Sequence, residues 1–124
     1  MTLRRATCLF AMIAACLAAP ALATGGGTIG TVQIGYYVCE LPGHATGAAG
    51  LRQPHEDFRV TNASSYTVGD ARGSYLLIDD AMVITSGPKR GEKFRRVSAG
   101  FLRKLAAYGS ESALRCVRQT ANNR

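Results

Sequence analysis

Short apolar runs separated by turn residues dominate the chain. Residues 32–40 (VQIGYYVCE) are rich in β-branched and aromatic side chains, and Leu41-Pro42-Gly43 ends them. Residues 43–56 (GHATGAAGLRQPHE) lack periodicity and read as a loop. Phe58 and Val60 then alternate with Arg59 and Thr61, the period of a half-buried strand. Asn62-Ala63-Ser64 turns the chain, residues 65–68 form another short strand, and Gly69-Asp70 turn it again. SYLLI (74–78) and MVIT (82–85) flank Asp79-Asp80-Ala81 as a hairpin. Phe94 to Val97 supplies the next strand.

The last segment, GFLRKLAAYGSESALRCVR, reads two ways. Phe101, Leu105 and Tyr108 have helical spacing, with Ser98 as a cap and Gly109 as a stop, which gives a short helix near 98–108. The same residues form a hairpin about Tyr108-Gly109-Ser110-Glu111. Leu114, Cys116 and Arg118 alternate with Arg115 and Val117, and every earlier segment is strand-like, so the hairpin is the favoured reading. The count is about seven or eight short strands, an all-β antiparallel barrel or sandwich.

The N-terminus has a different pattern. Arg4 and Arg5 precede an apolar run over 6–19, and Ala21-Leu22-Ala23 places small residues where a signal peptidase reads. This is the layout of a signal peptide over residues 1–23, and the run is shorter than the ~20 residues a membrane helix needs. Ile13-Ala14-Ala15-Cys16 also resembles a lipobox, which gives an alternative: a chain lipid-anchored at Cys16, the one route by which membrane contact is expected. The expected location is periplasmic or secreted. Residues 24–34, opening TGGGTIG, read as a flexible lead-in and the start of the first strand; residues 35–124 are then a single β-domain.

Export gives the cysteines their meaning. Cys8 and Cys16 fall in the signal segment, which leaves Cys39 and Cys116. In an oxidising compartment this pair is most simply a disulfide. A loop of this length is worth about 4–5 kcal/mol in the chain-entropy view, a large gain for a domain whose core is small. If Cys39 lies on the first strand and Cys116 on the last, their bond closes the sheet on itself.

Charge is unevenly placed. Residues 24–85 carry three basic and six acidic side chains, whereas 86–124 carry ten and two. The basic residues concentrate in TSGPKRGEKFRRV, residues 85–97, with Lys89, Arg90, Lys93, Arg95 and Arg96 as anion-binding candidates. Arg103, Lys104, Arg115 and Arg118 extend the patch if the last two strands lie beside it. The stretch is not a P-loop: from Gly87 the next glycine is Gly91, one residue early, and Lys93 is followed by Phe94 instead of Ser or Thr. No tyrosines interleave in this stretch for stacking on single strands, so no specific nucleic acid is expected. His44 and His55, eleven residues apart, lack a third strong ligand, so no metal or cofactor is expected. Ser64 and Ser65 lack a nucleophile-elbow context, and Asp79 and Asp80 sit in a turn. A hydrolase using His55 with Asp57 rests on composition alone, and the expectation is a non-catalytic protein.

The spaced pattern GYYVCELPG (35–43), NASSY (62–66), RGSYLL (72–77), TSGPKRGEKF (85–94), FLRKL (101–105) and SALRCVR (112–118) resembles a family of small exported bacterial proteins of unassigned function. The resemblance covers roughly 35–118, with TSGP and LRC its most specific elements. Some such proteins carry the label translation elongation factor P, whose hairpin tip of the P-G-K-G-Q-A-F kind presents a modified lysine to the ribosome. Gly87 to Phe94 is similar but permutes the order. That factor is a cytoplasmic protein of three barrels, whereas the signal peptide, single-domain length and cysteine pair here point to export. The sequence therefore supports an exported β-domain contacting an anionic envelope component. A translation protein and a small-ligand carrier barrel are the alternatives.

Overall fold

The computed structural model describes residues 27–120. The signal segment 1–23 and Cys16 lie outside them. Among the described residues there are ten strands: β1 (Ile29–Gly30), β2 (Gly35–Pro42), β3 (Gly50–Arg52), β4 (Phe58–Val60), β5 (Ser65–Val68), β6 (Ala71–Ile78), β7 (Ala81–Ile84), β8 (Lys93–Ser98), β9 (Phe101–Leu105) and β10 (Glu111–Arg118). Every pairing is antiparallel, and the order β6-β5-β4-β2-β10-β9-β8-β7 returns to β6. The result is a closed eight-stranded up-and-down barrel, which leaves no long open edge. The short β1 and β3 pair onto β6 and β2.

The first strand meets the last at the disulfide. Cys39 and Cys116 are register partners on β2 and β10. The Cys39 carbonyl accepts from Gln53 N–H and its N–H donates to Asp57 Oδ1 at 2.7 Å, so both groups face away from β10. The two cysteines thus form a non-hydrogen-bonded pair, where side chains approach most closely.

The interior follows the two-residue period. Tyr37, Phe58, Tyr66, Leu77, Met82, Ile84, Phe94 and Leu102 point inward and are fully buried. Eight strands leave a lumen just wide enough for such side chains to fill. Phe58 stacks on Tyr37 at 5.3 Å between ring centroids and meets Tyr66 edge-on. Each buried tyrosine hydroxyl finds a carbonyl: Tyr37 with Gln33, Tyr66 with Ser86 and Tyr75 with Asn62. Burial pushes the Tyr37 hydroxyl up to about 12.

Several boundaries differ from the sequence reading. The helix near 98–108 is absent: 101–105 is strand β9, entered through a tight turn at Gly100 with φ 75°, and a turn over 106–110 leads into β10. Pairing on both flanks, to β8 and β10, outweighs the helical spacing. The only helical element among the described residues is the 3-10 turn Pro54–Glu56, inside the expected loop 43–56, which also contributes β3. The lead-in is docked where it is described: Ile29 and Gly30 pair with β6, and buried Val32 donates its N–H to Tyr75 Oη. Leu76 faces outward, because Tyr75 and Leu77 take the inward positions.

Candidate anion-binding face

The basic stretch divides into two parts with different fates. Its first half, TSGPKRGE, folds over one end of the barrel. Gly87 has φ 90°, and a Cβ there would lie 2.6 Å from Gly73 Cα; a Cβ on Gly73 would lie 2.3 Å from Ser86 O. The two glycines let the loop lie directly against β6. Tyr66 Oη donates to Ser86 O at 2.8 Å and accepts Lys89 N–H at 2.9 Å, fixing the loop from inside.

This path turns Lys89 into the barrel mouth. Its side chain is only 6% exposed. Its Nζ reaches Glu56 O at 3.1 Å, Glu56 Oε2 at 3.2 Å and Glu92 Oε1 at 3.3 Å, and it stands 5.6 Å from the centre of the Phe58 ring. Lys104 arrives from β9, pointing inward two residues after Leu102, and its Nζ lies 3.0 Å from Glu56 Oε2 and 2.7 Å from Glu92 Oε1. Two lysines and two glutamates thus form a closed ion quartet. Burial raises the Glu56 carboxyl, but hydrogen bonds and charge from Lys104 and Lys89 prevail and hold it below the usual range. For Lys104, burial works downward, and the bonds to Glu92 and Glu56 reverse it and raise the ammonium. Sequence reading groups Lys89 with the exposed cations; here it is a structural clamp. The sequence alone gives Glu56 and Glu92 no role, although the alternation of Leu102 and Lys104 is a readable sign that Lys104 faces in.

The other candidates spread along β8 and its approach. Arg90 and Lys93 are exposed, and neither forms an ion pair among the described residues. Arg96 is half-buried at the opposite barrel end, where Nε reaches Asp80 Oδ1 at 3.2 Å and NH2 reaches Asp79 O at 3.2 Å. Arg118 lies at that end too, its Nε donating to Ile34 O at 2.7 Å. Arg95 faces outward and pairs with Glu111.

Arg95 belongs to a row. In register across neighbouring strands, Arg95 partners Arg103, Arg103 partners Arg115, and Arg115 partners Glu40. These positions flank inward Phe94, Leu102, Leu114 and Cys116, so they share the outer face. Three arginines therefore occupy facing positions on adjacent strands, whose spacing is about 4.8 Å. Like charges placed directly opposite repel, and carboxylates sit at both ends of the row. Glu111 serves Arg95 and lies 3.8 Å from Arg103, while Glu40 Oε1 accepts from Arg115 at 2.9 Å. Arg103, the middle member, makes no hydrogen bond among the described residues; it is ion-paired with Glu111 at 3.8 Å and lies over the Phe101 ring at 6.0 Å.

The histidines do not build a site. His55 is exposed with Nε2 3.8 Å from Glu56 Oε1, while Asp57 is committed to Cys39 N–H, Tyr36 Oη and Arg52. Among the described residues no group of three or more His, Cys, Asp or Glu side chains converges as metal ligands would.

No protein-family model, characterised protein or solved structure matches this chain.

Proposed function

We propose that this chain is a non-catalytic exported β-barrel that holds an anionic component of the cell envelope on the outside of β8, β9 and β10. The observation that carries the reading is the cross-strand row Arg95-Arg103-Arg115, whose central guanidinium has no hydrogen-bond acceptor of its own. Guanidiniums match phosphate, sulfate and carboxylate groups through paired N–H donors. Arg90 and Lys93 add exposed charge along the same strand and loop. Export is supported by the N-terminal signal layout and by a disulfide suited to an oxidising compartment. The interior favours a surface site over a carrier lumen, because aromatic and aliphatic side chains fill it. The burial of Lys89 weighs against a ribosome-facing lysine tip.

The test is retention of the mature protein on heparin and on immobilised lipopolysaccharide across a salt gradient. Exposed charge contacts weaken with ionic strength, so wild type elutes at a definite salt concentration, and Arg103→Gln elutes earlier with its melting temperature unchanged. Elution without salt dependence, or identical elution of Arg103→Gln, rejects the reading.

A further inference from the structure

The arginine row continues into an apolar surface. In register across β1, β6, β7 and β8, Ile29 partners Ile78, Ile78 partners Ala81, and Ala81 partners Arg95. All four face outward, so one belt around the barrel changes from Ile29-Ile78-Ala81 to Arg95-Arg103-Arg115. Ile29 is 73% exposed, and Leu76, also outward on β6, is exposed too. The turn over 106–110 leans over this belt, held by the Arg95–Glu111 ion pair. Between the turn and the barrel wall lies a cavity of about 480 Å³ lined by Ile78, Ala81, Phe94, Leu105, Gly109 and Arg95 together with the carboxylates Asp79, Asp80 and Glu111. Tyr108, next to Gly109, is 99% exposed at this turn. The three carboxylates of the lining have partners: Asp79 accepts Thr28 N–H, Asp80 pairs with Arg96, and Glu111 with Arg95. The groove thus offers apolar floor residues that run onto Arg95 at one end, from which the register leads to Arg103 and Arg115, within the size range of small-ligand sites.

Building on the proposed anion-binding role, we infer that this groove takes the acyl chain of a single-chain anionic amphiphile whose phosphate headgroup rests on Arg95, Arg103 and Arg115. The commitment to an amphiphile comes from this juxtaposition: a sugar polyanion would use the arginines and leave Ile29, Ile78 and Ala81 uncovered, and a neutral lipid would use the reverse. A singly charged phosphodiester, with two free oxygens, can engage Arg103 without displacing Glu111 from Arg95, because Arg103 makes no hydrogen bond among the described residues. The acyl chain covers apolar surface that water now wets.

The test is calorimetric titration with lysophosphatidylglycerol below its micelle concentration. The comparison probes are glycerophosphoglycerol, which is the headgroup alone, and lysophosphatidylcholine, which has the chain with a zwitterionic head. Saturable one-site binding is expected, at least about tenfold tighter than for either comparison probe. Ala81 is exposed, so Ala81→Trp fills the groove without entering the core; it is expected to lower lysophosphatidylglycerol affinity to the headgroup level and leave heparin elution unchanged. Arg103→Gln is expected to bring the affinity close to that for lysophosphatidylcholine. Equal affinity for lysophosphatidylglycerol and its headgroup, or no effect of Ala81→Trp, overturns the groove assignment while salt-sensitive heparin binding leaves the broader role standing. Absence of salt-sensitive binding to every anionic probe removes both.

Discussion

Lys89 and Arg90 are neighbours with opposite work. Lys89 Nζ is surrounded by Glu56 and Glu92 in a nearly dry mouth, whereas Arg90 is in solvent. Removing one partner of a buried pair leaves the other charges uncompensated. Lys89→Ala is therefore expected to cost about 2–3 kcal/mol, seen as a lower urea midpoint with unchanged slope. Arg90→Ala should stay within about 0.5 kcal/mol of wild type. Equal effects of the two would show that the quartet is not a clamp. The quartet also sets a pH window. The Glu56 carboxyl is held below its ordinary 4.5, so its contribution is complete above that value and is lost as pH falls through the depressed folded value. The Lys104 ammonium is raised above its ordinary 10.5, so its contribution is complete below that and is lost as pH rises through the folded value. Urea midpoints should be flat between these limits and fall on both sides, and Glu56→Gln should flatten the acid flank.

At the scale of elements, the TSGP loop is shaped by glycine before it is shaped by charge. Gly73 and Gly87 sit face to face, and Gly87 has a positive φ, so a side chain on either requires backbone movement. Gly73→Ala is expected to destabilise by about 2–3 kcal/mol through overpacking against Ser86 O and the Tyr66 ring. Gly69 has φ 56° but nothing within 4 Å of its Cβ direction, so Gly69→Ala should carry only the smaller strain of that φ. Thermal unfolding of the two variants separates close approach from backbone conformation, and a larger loss at Gly69 would reverse the argument. The strands themselves were readable because their inward residues alternate: Phe58 with Val60, Tyr75 with Leu77, Met82 with Ile84. The cation assignments were less so. Strand period tells which face Lys104 takes, but the burial of Lys89 depends on a loop path set by Gly73, Gly87 and Tyr66, residues distant in sequence. Likewise β1 and β3 are short and carry no alternation, and only their pairing with β6 and β2 makes them strands.

For the whole molecule, closure is the decisive feature, and it occurs where the cysteines are. The barrel becomes a ring only through β2 and β10, whose pairing joins segments far apart in sequence, and Cys39–Cys116 lies within that ladder. A pairing of such long range is the most costly in chain entropy and the last that a small core can afford. The opposite edge of β2 needs help at Cys39, since the chain breaks between β3 and β4 and the Asp57 carboxylate accepts the N–H that a continuous strand would have taken. The disulfide and Asp57 therefore hold β2 at Cys39 from its two sides, the first at the seam with β10 and the second at the gap between β3 and β4. Joint replacement Cys39→Ala/Cys116→Ala should cost about 2–5 kcal/mol, a substantial share of a small domain's stability. Asp57→Asn keeps an acceptor for Cys39 N–H but loses the ion pair with Arg52, and should cost less. Amide hydrogen exchange gives the sharper reading. In the cysteine-free protein, protection should fall first along β2 and β10 and persist in β5, β6 and β7, whose pairings are local hairpins. A uniform loss of protection around the ring would mean that the seam is no weaker than the rest and that the disulfide acts on the unfolded chain alone.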